Sequence, residues 1–181
     1  MKIQPLILAA GKGTRMKSPL PKVLMPIGGK PMLAHVVQTL ETMQTAPPII
    51  VVGYESDAVR SALPKQNYIE QTEQLGTGHA VSVCANQLDA KDVVLVLYGD
   101  VPLITAPTLQ AVLDACANSG LGLLTTHLSD PTGYGRIVRG SNGTVQAIVE
   151  HKDASPEQKA ITEVNTGILA AWGSDLQRWV A

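Results

Sequence analysis

The residues of this sequence that are best suited to chemistry stand close to its start. Residues 8–24, LAAGKGTRMKSPLPKVL, place Gly11 and Gly13 among three lysines and an arginine, directly after an apolar run. Glycine lets a backbone approach an anion closely, so that its N–H groups bind phosphate oxygens while basic side chains neutralise the charge. This composition predicts a phosphate-binding loop.

Two common phosphate motifs do not fit the loop. Met16 stands where a Rossmann fingerprint has its third small residue. Leu24 and Pro31 stand where a Walker loop has its first glycine and its Ser or Thr. What remains is a strand, a glycine loop with Lys12 and Arg15, and then Pro21 and Lys22, which suits a triphosphate held by backbone amides and fixed cations.

A second candidate, Asp100, follows the apolar run VVLVL of residues 93–97. Open α/β sheets bind ligands at the carboxyl ends of their strands, where this carboxylate is expected to lie. Mg²⁺ is usually held by one or two protein carboxylates, with waters and substrate phosphates completing its shell. A helix cap is the alternative role for a single Asp at such a position, and the glycine loop favours the metal site.

Composition excludes several classes of function. The chain is 45% hydrophobic and carries 14 basic and 15 acidic residues, so its net charge of −1 gives no field for a polyanion or a membrane surface. We therefore expect neither nucleic acid nor membrane as a partner. Cys84 and Cys116 belong to no metal motif and are expected to be buried, reduced thiols. With no signal peptide recognisable at the start, the sequence predicts a cytoplasmic protein.

The first two-thirds of the sequence alternate short apolar strands with amphipathic helices. This alternation predicts an α/β fold, with a mostly parallel sheet wrapped by helices. In the helix predicted after Pro31, the residues Leu33, Val36, Val37 and Leu40 share one face. The predicted elements are strands at 3–8, 49–52 and 93–97 and helices at 31–43, 56–63, 78–88 and 105–117, the last with Thr105 as its N-cap.

The pattern changes after Gly120. Four strand-like stretches are separated by turn signals, which predicts an antiparallel part containing hairpins. The stretches are LGLLTTHL, GRIVRG, TVQAIVE and TGILAAW. The final SDLQRWVA is predicted to be helical, and no glycine cap follows it, so we expect the domain to continue beyond residue 181.

Six blocks of the sequence carry a family resemblance. Residues 8–24 resemble the signature of sugar-phosphate nucleotidyltransferases, and five further blocks follow in register. Together they resemble the uridylyltransferase domain of the bacterial bifunctional N-acetylglucosamine-1-phosphate uridylyltransferases/glucosamine-1-phosphate acetyltransferases, over nearly the whole chain. The five further blocks are QTEQLGTGHA (71–80), LYGDVPLI (97–104), DPTGYGRI (130–137), VEHKDA (149–154) and EVNTGI (163–168).

The resemblance implies a Rossmann-like nucleotide-diphospho-sugar transferase fold and one reaction. A uridylyl group passes from UTP to N-acetylglucosamine 1-phosphate, giving UDP-N-acetylglucosamine, a cell-envelope precursor, and pyrophosphate, with Mg²⁺ as cofactor. Residues 1–181 are then a uridylyltransferase domain that is incomplete at its C-terminus. Family members continue with an asparagine that is the metal's second protein ligand, and with a β-helix that carries the acetyltransferase and forms a trimer.

The resemblance also implies roles for individual residues. Arg15, Lys22 and Asp100 are implied to be catalytic, with Asp100 on Mg²⁺. Gln71 is implied to hold uracil, for which an amide offers both a donor and an acceptor. The implied substrate contacts are Leu8, Ala9, Ala10, Gly11, Lys22, Gln71, Gly76, Thr77, Tyr98, Gly99 and Asp100 on the nucleotide side and Gly135, Glu150 and Asn165 on the sugar side.

Three hypotheses follow from these residues. The chain is a uridylyltransferase, a related nucleotidyltransferase for another base or sugar, or a nucleotide-sugar-binding fragment without turnover. Gln71 and the LGTGHA block favour uracil. An acceptor phosphate is already a nucleophile, so no general base is required, and His79 and His151 are expected to be structural.

Overall fold

The computed structural model describes residues 2–13, 16, 18 and 20–181. The chain divides into two compact units. The first unit contains Met1–Gly122 and Leu169–Ala181, and the second contains Leu123–Ile168.

The described residues form ten strands and six α-helices. The strands are β1 (Ile3–Leu8), β2 (Pro26–Ile27), β3 (Lys30–Pro31), β4 (Ile49–Val52), β5 (Asn67–Glu70), β6 (Val93–Tyr98), β7 (Leu121–His127), β8 (Arg136–Arg139), β9 (Val145–Val149) and β10 (Glu163–Trp172). The helices are α1 (Met32–Glu41), α2 (Ser56–Ala62), α3 (Thr77–Ser82), α4 (Ala106–Ser119), α5 (Pro156–Lys159) and α6 (Gly173–Trp179).

The first unit is built on a sheet whose strands β5, β4, β1 and β6 are adjacent in that order and parallel. β1 lies in the middle, since Leu6 pairs with Ile49 of β4 and with Val96 of β6. From Leu169 onward, β10 pairs antiparallel with β6. The residues of β4 are all buried, as are five of the six in β6, which is typical of strands covered on both faces.

The helices begin and end where their terminal residues dictate. α1 follows Pro31, whose φ of −54° suits the position before a helix, and buries the four apolar residues predicted for its inner face. Thr105 caps α4 by accepting a backbone N–H of its first turn, as predicted. α4 ends at Gly120, whose φ of +82° is the left-handed conformation that favours glycine.

The second unit is antiparallel. Arg136 of β8 pairs with Val149 of β9 and with Val164 of β10, and β7 pairs with β10. The β8–β9 hairpin turns through Gly143 at a φ of +80°. The change from parallel to antiparallel pairing after Gly120 is therefore confirmed.

The predicted fold class is confirmed, but the helix predicted over 78–88 is wrong in its extent. α3 ends at Ser82, and a separate 3₁₀ turn spans Ala85–Gln87. The Cys84 N–H donates to the Val81 carbonyl three residues back, so the i to i−4 ladder of an α-helix ends there. β5 and α5 carry no apolar periodicity and are not predicted from the sequence.

Cys84 and Cys116 are free and buried, which confirms the prediction of two unpaired core thiols. Among the residues described, no helix has the length and apolar character needed to cross a membrane.

Candidate functional site

A cavity of about 590 Å³ lies in the first unit, where β1 and β6 end. Its volume is in the range of pockets that bind small molecules. Ten of its lining residues are among those predicted to contact a nucleotide, and they come from four separate stretches of the chain. These ten are Leu8, Ala9, Ala10, Gly11, Lys22, Gln71, Gly76, Thr77, Tyr98 and Asp100. The other lining residues are Gly13, Met16, Val23, Gln74 and Ala80.

Backbone hydrogen bonds hold the contributing stretches side by side. The Gly99 N–H donates to the Leu8 carbonyl over 3.0 Å, and the Gln71 N–H donates to the Val52 carbonyl over 2.7 Å. These bonds continue the parallel pairing past the ends of β1, β4, β5 and β6. The loops that follow the strands therefore leave from one edge of the sheet, which is where open α/β sheets bind ligands.

The two glycines of the phosphate-binding loop have different roles. Apart from its two chain neighbours, no described residue has an atom within 4 Å of a Cβ built on Gly11, and Gly11 lines the cavity. Packing against the described residues therefore does not require glycine there, whereas close approach of a ligand does. Gly13 has a φ of +62°, and a Cβ on it would lie 2.5 Å from the Cβ of Lys22. Gly13 is therefore needed by the fold, because it lets the loop pack against Lys22.

Lys22 and Asp100 form an ion pair at the cavity. Lys22 Nζ lies 2.6 Å from Asp100 Oδ2, and the two side chains are 38% and 28% exposed. No hydrogen bond from the described residues reaches the other carboxylate oxygen, Oδ1. The predicted phosphate-binding cation and the predicted metal ligand thus partly neutralise each other.

The donor set at Asp100 fits Mg²⁺. Asp100 is the one acidic side chain among the described residues that line the cavity. The described residues contain no cluster of three or more His, Cys, Asp or Glu side chains that could hold a metal ion. Mg²⁺ usually keeps several waters and binds through one or two carboxylates and substrate phosphates, which Asp100 Oδ1 can join.

The Gln71 side chain is 3% exposed, yet it lines the cavity. Its Nε2 donates to the Gly76 carbonyl over 3.2 Å and lies 3.0 Å from Nδ1 of His79. Gly76 holds its carbonyl in place with φ +103° and ψ −177°, a conformation open almost only to glycine. A buried amide with fixed partners is suited to recognising the polar edge of a base.

Two residues considered for the nucleotide side, Gly99 and Lys12, are not among the residues that line the cavity. Gly99 is buried, and a Cβ there would lie 3.1 Å from Cγ1 of Val23. Lys12 Nζ lies 5.9 Å from the centroid of the Tyr54 ring, a cation–π contact. Arg15, the third predicted catalytic residue, lies outside the described residues.

The predicted sugar-contacting residues lie together in the second unit. The Gly135 carbonyl accepts the Asn165 N–H over 2.9 Å. A Cβ on Gly135 would lie 3.2 Å from Oε1 of Glu150, so glycine leaves room for that carboxylate. Asn165 Oδ1 accepts the Gly167 N–H over 3.0 Å, and no described residue accepts from Asn165 Nδ2. Glu150 and Asn165 thus retain an acceptor and a donor for a polar ligand.

A buried arginine supports this group. Arg136 is 1% exposed, donates to the Tyr134 carbonyl, and places Nη2 3.2 Å from Nδ1 of His151. Its Nε has no partner among the described residues. These contacts connect Tyr134 and Arg136, which flank Gly135, with His151, which follows Glu150. The position of His151 agrees with the structural role expected of it.

His79 is the residue whose position sequence reasoning missed. Its place in the LGTGHA block is the only signal, and nothing in the spacing predicts a contact between its ring and the Gln71 amide eight residues earlier. Gln74 and Val23 also line the cavity without having been expected from the sequence.

Comparison with known proteins agrees with this geometry. The model of the MobA-like NTP transferase domain family matches residues 5–163. The chain belongs to that family. The match begins inside β1 and ends at the start of β10, so it includes all four stretches that line the cavity.

Curated relatives of this MobA-like NTP transferase domain carry the name "Bifunctional protein GlmU". The one from Pseudomonas aeruginosa (strain LESB58) is 53% identical over 182 residues, which is 99% of this chain and 40% of the relative. The one from Cupriavidus pinatubonensis is 51% identical over 97% of this chain and 39% of the relative. The chain thus spans about 40% of the length of the curated relatives it matches.

Solved structures share the fold of this MobA-like NTP transferase domain at low sequence identity. UDP-glucose pyrophosphorylase complexed with UDP-glucose aligns with a TM-score of 0.79 at 17% identity, over 99% of this chain and 79% of that one. HddC from Yersinia pseudotuberculosis aligns with a TM-score of 0.75 at 23% identity, over 98% of this chain and 80% of that one. These likenesses establish a Rossmann-like α/β fold.

Proposed function

We propose that residues 1–181 transfer a uridylyl group from UTP to N-acetylglucosamine 1-phosphate, which gives UDP-N-acetylglucosamine and pyrophosphate. The observation that carries this proposal is the lining of one cavity. That lining combines a buried amide, an open glycine backbone and a cation beside a carboxylate. These groups match a base, a polyphosphate and a metal ion, and relatives named GlmU are about half identical across the whole chain.

The chemistry requires few functional groups from the protein. A phosphate oxygen of N-acetylglucosamine 1-phosphate attacks the α-phosphorus of UTP, a P–O bond forms, and the bond to the β-phosphate breaks as pyrophosphate leaves. The attacking oxygen is already ionised, so no base has to remove a proton. Catalysis then depends on bringing two anions together and stabilising the charge on the phosphates.

Each cavity residue has a part in that task. Gly11 offers its backbone N–H at close range because it has no side chain of its own to hold a ligand away. Lys22 supplies a positive charge to a phosphate when its side chain leaves Asp100. Gln71 holds the uracil. Arg15 is assigned to the same group of cations on the family resemblance alone.

Mg²⁺ is proposed as the cofactor, with Asp100 as its protein ligand among the described residues. When bound, such an ion supplies Lewis-acid neutralisation of phosphate charge. Asp100 Oδ1, to which no described residue donates, supports this assignment.

The proposal gives the sugar to Gly135, Glu150 and Asn165. The carboxylate of Glu150 can accept from hydroxyl groups, and Asn165 Nδ2 can donate. A cytoplasmic location is part of the proposal and agrees with two free, buried cysteines.

The test is a product analysis. The 181-residue chain is incubated with Mg²⁺, each of the four NTPs and each of three sugar 1-phosphates, those of N-acetylglucosamine, glucosamine and glucose, and products are identified by mass. UDP-N-acetylglucosamine formed from UTP and N-acetylglucosamine 1-phosphate is the expected product, and the Asp100→Asn variant should form little of it. A different nucleotide sugar as the main product would assign another nucleotidyltransferase activity. Bound uridine nucleotide without any product would reduce the function to binding.

A further inference from the structure

The orientation of the Gln71 amide is set by its neighbours. Nε2 lies 3.2 Å from the Gly76 carbonyl oxygen and 3.0 Å from Nδ1 of His79. A carbonyl oxygen can only accept a hydrogen bond, so the amide atom facing Gly76 must be the nitrogen. The assignment of oxygen and nitrogen in this side chain therefore follows from chemistry.

The same contacts determine the proton on His79. An amide nitrogen carries two hydrogens, and one of them is used by Gly76. The other points to Nδ1 of His79, which must be unprotonated to accept it, so the ring carries its proton on Nε2. Both donors of Gln71 are then satisfied by the protein.

Only the acceptor of Gln71 remains for a ligand, in place of the donor and acceptor expected from the sequence. No described residue donates to Oε1, and Gln71 lines the cavity. Uracil carries an N–H donor at N3, whereas cytosine carries a lone pair at that atom. An acceptor at Oε1 binds the first and opposes the second, because two acceptors facing each other leave both unpaired.

We propose that His79 is a positioning residue for base selection: by accepting from Gln71 Nε2, it keeps Oε1 turned to the cavity and favours uridine over cytidine nucleotides. This inference rests on the proposed binding of a uridine nucleotide in the same cavity. Without His79, only the Gly76 carbonyl would hold the amide, through the longer of the two bonds. Loss of His79 therefore leaves the amide orientation less strongly fixed, so that the amide presents a donor to the base more often.

The test compares His79→Ala with His79→Asn. Calorimetry of UTP and CTP binding, with Mg²⁺ present, gives the ratio of their affinities in each variant. Loss of a neutral hydrogen bond should lower the preference for UTP by roughly 2- to 12-fold in His79→Ala. Asn offers an oxygen near the position of Nδ1, so His79→Asn should restore the preference.

A matched control is His35→Ala. His35 is also partly buried on a helix, and its Nε2 lies 2.8 Å from the Ile27 carbonyl oxygen, but it does not line the cavity. This variant should leave the ratio unchanged. In the unsubstituted chain, long-range ¹H–¹⁵N NMR should show the His79 proton on Nε2, a readout that needs no nucleotide.

The outcomes separate the inference from the proposed function. If the unsubstituted chain prefers UTP and His79→Ala weakens UTP and CTP equally, the positioning role is wrong and the proposed function stands. A proton on Nδ1 of His79 would overturn the positioning role as well. If the unsubstituted chain binds neither nucleotide, the proposed function fails and the inference fails with it.

Discussion

Replacing Lys22 by Met should separate the role of this side chain in folding from its role in binding. Met keeps much of the aliphatic bulk of Lys and removes the charge. In the chain alone, the Lys22–Asp100 pair joins side chains that are 38% and 28% exposed. Ion pairs with this degree of solvent exposure contribute about 0.2–1 kcal/mol. For a domain of this size, the substitution should therefore lower Tm by no more than about 4 °C.

The effect on nucleotide binding should be larger. A hydrogen bond between a charged donor and a phosphate contributes about 1.5–3 kcal/mol. The unsubstituted protein first has to separate Lys22 from Asp100, which removes the 0.2–1 kcal/mol of the pair. The net loss in Lys22→Met is therefore about 0.5–2.8 kcal/mol, or roughly 2- to 100-fold weaker UTP binding.

Calorimetry with UTP and thermal unfolding of the same samples measure both effects, and Asp100→Asn with the double variant completes a cycle. The coupling between the two substitutions in unfolding free energy should be small, about 0.2–1 kcal/mol. Unchanged UTP affinity in a folded Lys22→Met protein would remove Lys22 from the phosphate site. A fall in Tm well beyond about 4 °C would show that the pair has a larger structural role than its exposure indicates.

Three further substitutions or reagents test other parts of the structure. Gly11→Ala should leave stability within about 0.5 kcal/mol and weaken UTP binding about tenfold or more, because the new methyl group blocks a contact between the backbone and a charged phosphate. Gly78→Ala is the control, since a Cβ there also meets no described atom within 4 Å but Gly78 does not line the cavity, and it should not weaken binding. Equal losses of UTP affinity in calorimetry would contradict a specific role for Gly11. Arg139 donates to both carboxylate oxygens of Glu163 and lowers the pKa of Glu163 to about 2 from an ordinary 4.5. This ion pair therefore stabilises the folded protein above pH 4.5, and its stabilisation is lost as the pH falls through about 2. Thermal unfolding should show Glu163→Gln less stable than the parent at pH 6 and equal to it near pH 2; a difference that does not depend on pH would be evidence against the ion pair. Burial raises the pKa of the Cys84 thiol to about 12, so a thiol reagent at pH 8 should label it only after unfolding, and rapid labelling of the folded protein would show that the core is open.

Much of the cavity could be predicted from the sequence because its residues follow recognisable strand ends. The apolar runs of β1 and β6 are mostly buried, and Gly11 and Asp100, which follow them, are a small residue and a charged one. Parallel strands bring such residues to one edge of the sheet. By contrast, β5 is half exposed and alternates weakly, so only its pairing with β4 defines it as a strand.

Contacts between side chains could not be predicted in the same way. Lys22 and Asp100 are 78 residues apart, and their pairing depends on the left-handed conformation of Gly13 that packs the loop on Lys22. The orientation of Gln71 depends on the Gly76 carbonyl and on the tautomer of a histidine. Residue types indicate what these side chains can do, but the direction of each hydrogen bond is a property of the folded chain.

A crystal structure of the chain with UDP-N-acetylglucosamine and Mg²⁺ tests most directly whether this cavity is the nucleotide site. We predict electron density for uracil with its N3 within hydrogen-bonding distance of Gln71 Oε1, and for the diphosphate beside Gly11 and Lys22. Density for the nucleotide at another place, such as the groove lined by Ala34, Val37, Gln38, Glu41, Leu63, Pro64, Lys65 and Gln66, with this cavity holding only water, would contradict the assignment.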